Sequence, residues 1–185
     1  MQPELVRRAQ QGDHEAFDAL AGEAYDRLFA LAHRILRDPE RGKDAVQECL
    51  VRAWRDLRGL RDPDRFDAWL HRLLVNACYD EARRRKARAF EVHLLPIERA
   101  APSHPYDEIA DRDQLERGFR RLPVEHRAVL VMHHYLGLRL PQIADVLGVP
   151  EGTVRSRLHY ATGAMRAVLE ADARPTLVAQ GGRTA

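Results

Sequence analysis

Apolar residues in this 185-residue chain recur every three or four positions and almost never alternate, which predicts helices throughout and no sheet. A short helix is read before Gly12, and Asp13 is placed to cap a second. In that second helix Phe17, Leu20, Ala24, Leu28, Leu31 and Ile35 form one stripe, widened by Tyr25 and Phe29, until Asp38-Pro39 breaks it. A third helix over about 41–57 turns Val46, Cys49, Leu50, Ala53 and Trp54 inward and Asp44, Gln47, Glu48 and Arg52 outward. A polar connection containing Asp62-Pro63 leads into a long helix over about 66–88. Its first half is apolar (Phe66, Trp69, Leu70, Leu73, Leu74, Ala77) and its second half basic (Arg83, Arg84, Arg85, Lys86, Arg88).

The helical period fades from Ala89, where three prolines and mixed charge predict a linker, partly extended. It resumes near Asp111 with Leu115, Phe119 and Leu122, stops before Pro123, and returns through Val124, Ala128, Leu130, Val131 and Tyr135 until Gly137. The expected fold is therefore all-α: two small helical domains, 1–88 and 111–170, joined by a flexible linker over 89–110 and followed by a disordered tail over 171–185.

The stretch 138–169 carries the most specific signal. A short helix opening at Pro141 has Ile143, Ala144 and Leu147 on its apolar face and stops at Gly148. Val149 fills the turn, and Pro150 starts a second helix with Val154, Leu158, Ala161, Met165 and Val168 facing inward. A small residue, a turn glycine, then Val and Leu four apart is the packing pattern of a helix-turn-helix, whose second helix fits a DNA major groove. Arg155, Ser156 and His159 share a face of that helix, and Arg157 lies elsewhere on it. The blander reading is a helical hairpin with a solvated basic face.

Composition adds bounds. Hydrophobic residues make up 45% and charged residues 31%, as in a soluble globular chain, and a net charge of +2 provides no global field for nucleic acid. Any case for DNA must come from local patches. No apolar run nears membrane-spanning length and the N-terminus has no signal-peptide core, so a cytoplasmic protein without membrane insertion is expected. Cys49 and Cys78 lack CxxC spacing and read as reduced thiols on helices.

Three patches remain open on residue patterns alone. Five cations within six positions at the end of the long helix suit its dipole, yet exceed what capping needs; a nucleic-acid backbone is a plausible counter-surface. Asp44, Gln47, Glu48 and Arg52 form either a solvated surface or a docking face for a basic helix. The acids of the linker, Glu98, Asp107, Glu108 and Asp111, are either solvated or laid in a basic channel.

Three segments, in this order, resemble the extracytoplasmic-function group of bacterial sigma-70-family sigma factors. DAVQECLVRAW resembles the core-polymerase-binding helix of region 2.2; FDAWLHRLLVNACYDEARRRKAR resembles regions 2.3 and 2.4, which open and read the promoter −10 element; LPVEHRAVLVMHHYLGLRLPQIADVLGVPEGTVRSRLHYA resembles region 4, which reads the −35 element. The likeness spans about 4–169. It implies that Asp44, Gln47 and Glu48 dock on the β′ clamp helices of core RNA polymerase. It implies that Asn76, Asp80, Arg83 and Arg84 sit at the −10 element, and that the 58–65 loop captures a flipped base, whose unstacking costs a few kcal/mol. Arg155, Ser156, Arg157 and His159 are the implied −35 residues. The β flap of the polymerase, promoter DNA and an anti-sigma factor packed between the domains are the implied partners. The linker matches the segment that threads the RNA-exit path.

The chain departs from the family where the recognition helix continues as HYATGAMRAVL, less arginine-rich than in many members, with Gly163 weakening the helix by up to about 1 kcal/mol. A stand-alone helix-turn-helix regulator is the alternative reading, but it leaves the Trp54, Phe66 and Trp69 cluster without a role. No enzyme, metal or cofactor is expected. His133 and His134 point about 100° apart on a helix, His126 and His133 share a face without a third ligand, and no phosphate loop or nucleophile motif is present.

Overall fold

The computed structural model describes residues 3–91 and 108–173. It is built of helices α1 (Pro3–Gln10), α2 (His14–Leu36), α3 (Pro39–Asp56), α4 (Phe66–Glu91), α5 (Glu108–Arg121), α6 (Val124–His134), α7 (Leu140–Leu147) and α8 (Glu151–Ala173), with two 3-10 turns, Leu57–Gly59 and Pro63–Arg65, before α4.

The local signals explain the boundaries. The Asp13 carboxylate accepts from the Ala16 N–H at 3.0 Å, capping α2 as read from the sequence. Pro39 both ends one helix and begins the next. It stands at the first position of α3, two residues earlier than expected, while the Asp38 carboxylate accepts from the N–H groups of Glu40 and Arg41. Arg37 takes the left-handed conformation (φ 58°) between the two helices, its N–H returning to the His33 carbonyl. Gly42 lets α3 approach α2 closely: a Cβ on it would lie 3.3 Å from the His33 backbone nitrogen, tighter than ordinary van der Waals contact.

The first unit packs α1 to α4 around Leu20, Leu28, Leu31, Ile35, Val46, Leu70 and Leu74, all at most 2% exposed. Trp54 is half-buried and packs its ring, tilted, against His14 at 4.4 Å and Phe17 at 5.0 Å. Gln10 donates to the carbonyls of Leu57 and Leu60, tying α1 to the turns before α4. The basic end of α4 stays helical to Glu91, beyond the expected 88, because Arg, Lys and Ala are good helix formers. Cys49 and Cys78 are buried, and burial pushes the Cys49 thiol up to about 12 and Cys78 up as well, so neither is a reactive thiolate.

In the second unit α8 packs on α5, α6 and α7. Gly118 of α5 lies so close to α8 that a Cβ would fall 2.7 Å from the Met165 sulfur. Gly148 (φ 64°) makes the turn of the helix-turn-helix, its N–H bonded to the carbonyl of buried Ala144, and the Val149 N–H reaches the same oxygen at 3.2 Å. Helix α5 begins at Glu108, inside the stretch expected to be linker, and α8 continues to Ala173, past the expected tail boundary. The remainder of both stretches, 92–107 and 174–185, lies outside the described residues, as do the side chains of Glu98, Asp107, Glu108, Asp111 and Arg88.

The two units are not separate bodies. Helix α6 packs on α2 and α4, α7 packs on α4, and their buried residues join one continuous core. Periodicity assigned each helix a buried face but could not say that the two domains share a core. No helix among the described residues is long and apolar enough to cross a membrane.

Candidate nucleic-acid interface and docking face

Helical spacing places Asp44, Gln47 and Glu48 on one face of α3, and all three are at least partly open to solvent. Val51 continues that face and is 57% exposed, an apolar residue between acids that the sequence reading passed over. The signal was available: residues 44, 47, 48 and 51 follow the three-four-seven spacing of one helix stripe. Arg52 lies at the edge of this face. Its Nε donates to Glu48 Oε1 at 2.7 Å and its Nη2 lies 2.9 Å from Asp80 Oδ2.

That second contact joins the acidic face of α3 to the candidate −10 group of α4. Asn76, Asp80, Arg83 and Arg84 do share the solvent side of α4, but they are not equivalent. Asn76 is exposed. Asp80 is held from both sides by Arg52 and Arg83. Burial pushes its carboxyl up, yet the hydrogen bonds from the two guanidiniums outweigh that and hold it below the ordinary value. Arg84 lies 3.6 Å from Glu81, whose carboxylate is also bound by Arg41 at 3.1 Å, with both members of the Arg41–Glu81 pair only about one-seventh exposed. Arg83, Arg84, Arg85 and Lys86 are all exposed and, at about 100° per residue, ring the end of α4 with positive charge.

The 58–65 loop is shaped by the two 3-10 turns, with the Asp62 carboxylate accepting from the Asp64 N–H at 3.0 Å. Beside it opens a cavity of about 790 Å³, lined by Arg61, Arg65 and Trp69 on one side and Gln142, Asp145 and Val146 of α7 on the other.

On α8, Arg155, Ser156 and His159 are exposed, on the open side of the helix near its N-terminus. Glu151 holds the Arg155 guanidinium at 2.6 Å, and the Ser156 hydroxyl donates to the Thr153 carbonyl at 3.0 Å. Both contacts are local and exposed, so a base edge can replace them. Arg157 is separated from this trio. It is half-buried and acts electrostatically on His126 of α6 and Tyr79 of α4. The Tyr79 hydroxyl is buried without a hydrogen-bond partner, and burial raises its pKa. Two residues on a helix are about 200° apart, so Arg155 and Arg157 cannot read one groove face together.

His126 and His133 are engaged in local packing. His133 Nδ1 meets the Leu138 carbonyl at 2.9 Å across the end of α6, and His126 packs, tilted, against the Tyr160 ring at 4.7 Å. Among the described residues no group of three or more His, Cys, Asp and Glu side chains is placed to hold a metal ion.

This arrangement, an acidic face, a cationic helix end and a helix-turn-helix, has close parallels. Residues 20–88 match the family model for Sigma-70 region 2, and residues 112–162 match that for Sigma-70, region 4. The ECF RNA polymerase sigma factor SigM of Mycobacterium tuberculosis is 36% identical over 161 residues, covering 83% of this chain and 77% of that protein. The structure of CnrH in complex with the cytosolic domain of CnrY superposes with a TM-score of 0.65 at 29% identity, covering 92% of this chain and 98% of that one. The sigma factor RpoE in complex with the anti-sigma factor NepR, from Bartonella quintana, gives 0.69 at 22% identity over 84% of this chain and 98% of that one, a likeness of fold. The chain belongs to the sigma-70 family of RNA polymerase sigma factors, in its ECF group.

Proposed function

We propose that this sigma factor docks on core RNA polymerase through the α3 face of Asp44, Gln47 and Glu48, with Val51 as its apolar centre. The pairing partner is a basic helical surface, the β′ clamp helices, and the second unit engages the β flap. The basic end of α4, with Asn76, Asp80, Arg83 and Arg84, lies along the −10 element, and the 58–65 loop beside Trp69 receives the flipped base. Arg155, Ser156 and His159 enter the major groove at the −35 element, where guanidinium and hydroxyl groups reach base edges. Arg157, half-buried toward α4, takes a phosphate role once it is released. The protein performs no bond chemistry of its own and works in the cytoplasm. An anti-sigma factor is the proposed regulator, a role supported by the fold shared with the RpoE–NepR complex.

The observation that carries this reading is the order of the surfaces: an open acidic face, then a cationic helix end, then an open recognition helix, on two units that match regions 2 and 4. A stand-alone helix-turn-helix regulator leaves the whole first unit without a task and is set aside. The test is run-off transcription with purified bacterial core polymerase on pooled genomic promoter fragments. Discrete transcripts that require the protein support the reading; tight binding to duplex DNA without polymerase, and no transcripts, overturns it.

A further inference from the structure

Helix α6 is buried without a break from Ala128 to Met132. Five residues exceed a full turn, so the helix is covered on every side, by α8 on one and by α2 and α4 on another. Among the described residues, the side-chain polar atoms buried without a hydrogen-bond partner all belong to α4 or α6: the Tyr79 hydroxyl, His126 Nδ1 and Arg127 Nε. Folded chains satisfy nearly all such groups, so this seam is where an outside partner has most to offer.

Arg127 has the largest unmet demand. Other cations nearby have acids of their own: Arg37 pairs with Glu116, Arg41 with Glu81 at 3.1 Å, and Arg65 lies 3.6 Å from Asp145. The Arg127 guanidinium makes no hydrogen bond or ion pair among the described residues. Arg37, Arg85 and Arg41 are instead near enough to repel it, and Glu125 acts on it more weakly than any of the three. The acids beside them are already shared. Glu116 also accepts from Arg120 at 3.1 Å, and Glu81 also lies 3.6 Å from Arg84.

The chemistry of the cluster selects a ligand. A guanidinium fork matches the oxygens of a phosphate, and several forks together favour a doubly charged oxyanion over a single carboxylate. Access selects its size. The Arg37 and Arg41 side chains are only 21% and 15% exposed, beyond the reach of a rigid duplex backbone. Arg127 is partly open and Arg85 is exposed, which leaves a small ion a way in.

We propose that Arg127, with Arg37, Arg41 and Arg85 around it, binds a small phosphate-bearing anion, either the free ion or the phosphate end of a small metabolite. A dianion there replaces mutual repulsion by shared attraction, and partial burial strengthens each pairing relative to open water. The site needs only the packing of α6 against α2 and α4 and does not rest on the sigma-factor reading.

The test is calorimetric titration of the full-length chain with inorganic phosphate, in a zwitterionic buffer whose ionic strength is held by sodium chloride. Saturable single-site binding is expected, with a thermal midpoint that rises with phosphate. Arg127→Met should weaken binding at least about tenfold while raising the midpoint in phosphate-free buffer, a combination that a folding defect cannot produce. Arg127→Lys keeps the charge without the fork and should also bind more weakly. Arg155→Ala removes a cation outside the cluster and should bind as the unaltered chain does. Adenosine monophosphate separates the two sources: tighter binding than inorganic phosphate supports the phosphate end of a larger molecule, and weaker or equal binding supports the free ion. No saturable heat, a midpoint that sodium chloride raises equally, or unchanged affinity in Arg127→Met overturns the site.

Discussion

Arg52 binds Asp80 across the α3–α4 interface, Nη2 to Oδ2 at 2.9 Å, while its Nε holds Glu48. One guanidinium therefore touches both an acid of the proposed docking face and an acid of the proposed −10 group. All three groups are partly desolvated, with side-chain exposures of 21% for Arg52, 26% for Asp80 and 39% for Glu48. Arg52→Ala leaves two carboxylates without this partner. It should destabilise the chain by about 1 kcal/mol, as a lowered urea midpoint, and should reduce both core binding and −10 recognition. A variant that loses only stability would separate this pair from function.

Charge reversal at the docking face is the next expectation. Asp44→Arg with Glu48→Arg should weaken binding to core polymerase by at least about 1.4 kcal/mol, a factor of ten, by placing like charges against a basic partner. Helical content by circular dichroism should not change. Unaltered affinity in a fluorescence-anisotropy titration would show that α3 is not the docking helix.

The recognition helix predicts a split. Arg155→Ala and His159→Ala should each lower discrimination between a correct and an altered −35 element, by about 1–3 kcal/mol for a bidentate arginine contact. Core binding should be unaffected. Arg157→Ala should weaken binding about equally on both templates, because Arg157 does not share the face of Arg155. Equal loss of selectivity for Arg157→Ala would mean the helix docks in a different rotation.

Arg127 offers a test of packing. Burial, then repulsion from Arg37, Arg85 and Arg41, pulls its guanidinium down to about 10. Arg127→Met removes an unpaired, partly buried charge and keeps the hydrophobic stem. It should stabilise the free chain by about 1 kcal/mol in thermal denaturation. A clear drop in Tm would show that the guanidinium has a partner that stabilises it.

Stability should also fall on mild acidification. His33, His71 and His126 are each lowered chiefly by burial, which disfavours the charged ring; nearby arginines add to this in each case, while Asp38, Asp67 and Glu125 oppose it at His33, His71 and His126 respectively. The unfolded chain then binds more protons than the folded one once pH drops below the ordinary value of about 6.5. The contribution is complete above that value and is lost as pH falls through the depressed folded values. Tm should be lower at pH 5.5 than at pH 7.5, and His71→Gln should flatten the difference. An unchanged slope in His71→Gln would assign the effect to the other two rings.

Much of this protein was legible in its sequence. The stripe from Phe17 to Ile35, the Asp13 cap, the break at Pro39 and the turn at Gly148 are local devices: each depends on residues within a few positions, so each can be read off in order. The helix-turn-helix was legible for the same reason, since Ala144, Gly148 and Val154 sit within three turns of one another. Spacing also placed Asp44, Gln47 and Glu48 on one face and set Arg157 apart from Arg155. What only the tertiary structure decided is non-local. Arg52 and Asp80 are 28 positions apart, so no periodicity announces their pair. The all-round burial of Ala128 to Met132 reads as a single apolar run, and nothing in that run says that α2 and α4 cover one side and α8 another. The seam with Arg37–Glu116 and Arg65–Asp145 joins residues about 80 positions apart, because helices separated by a long connection find each other through matched apolar faces rather than through any pattern along the chain.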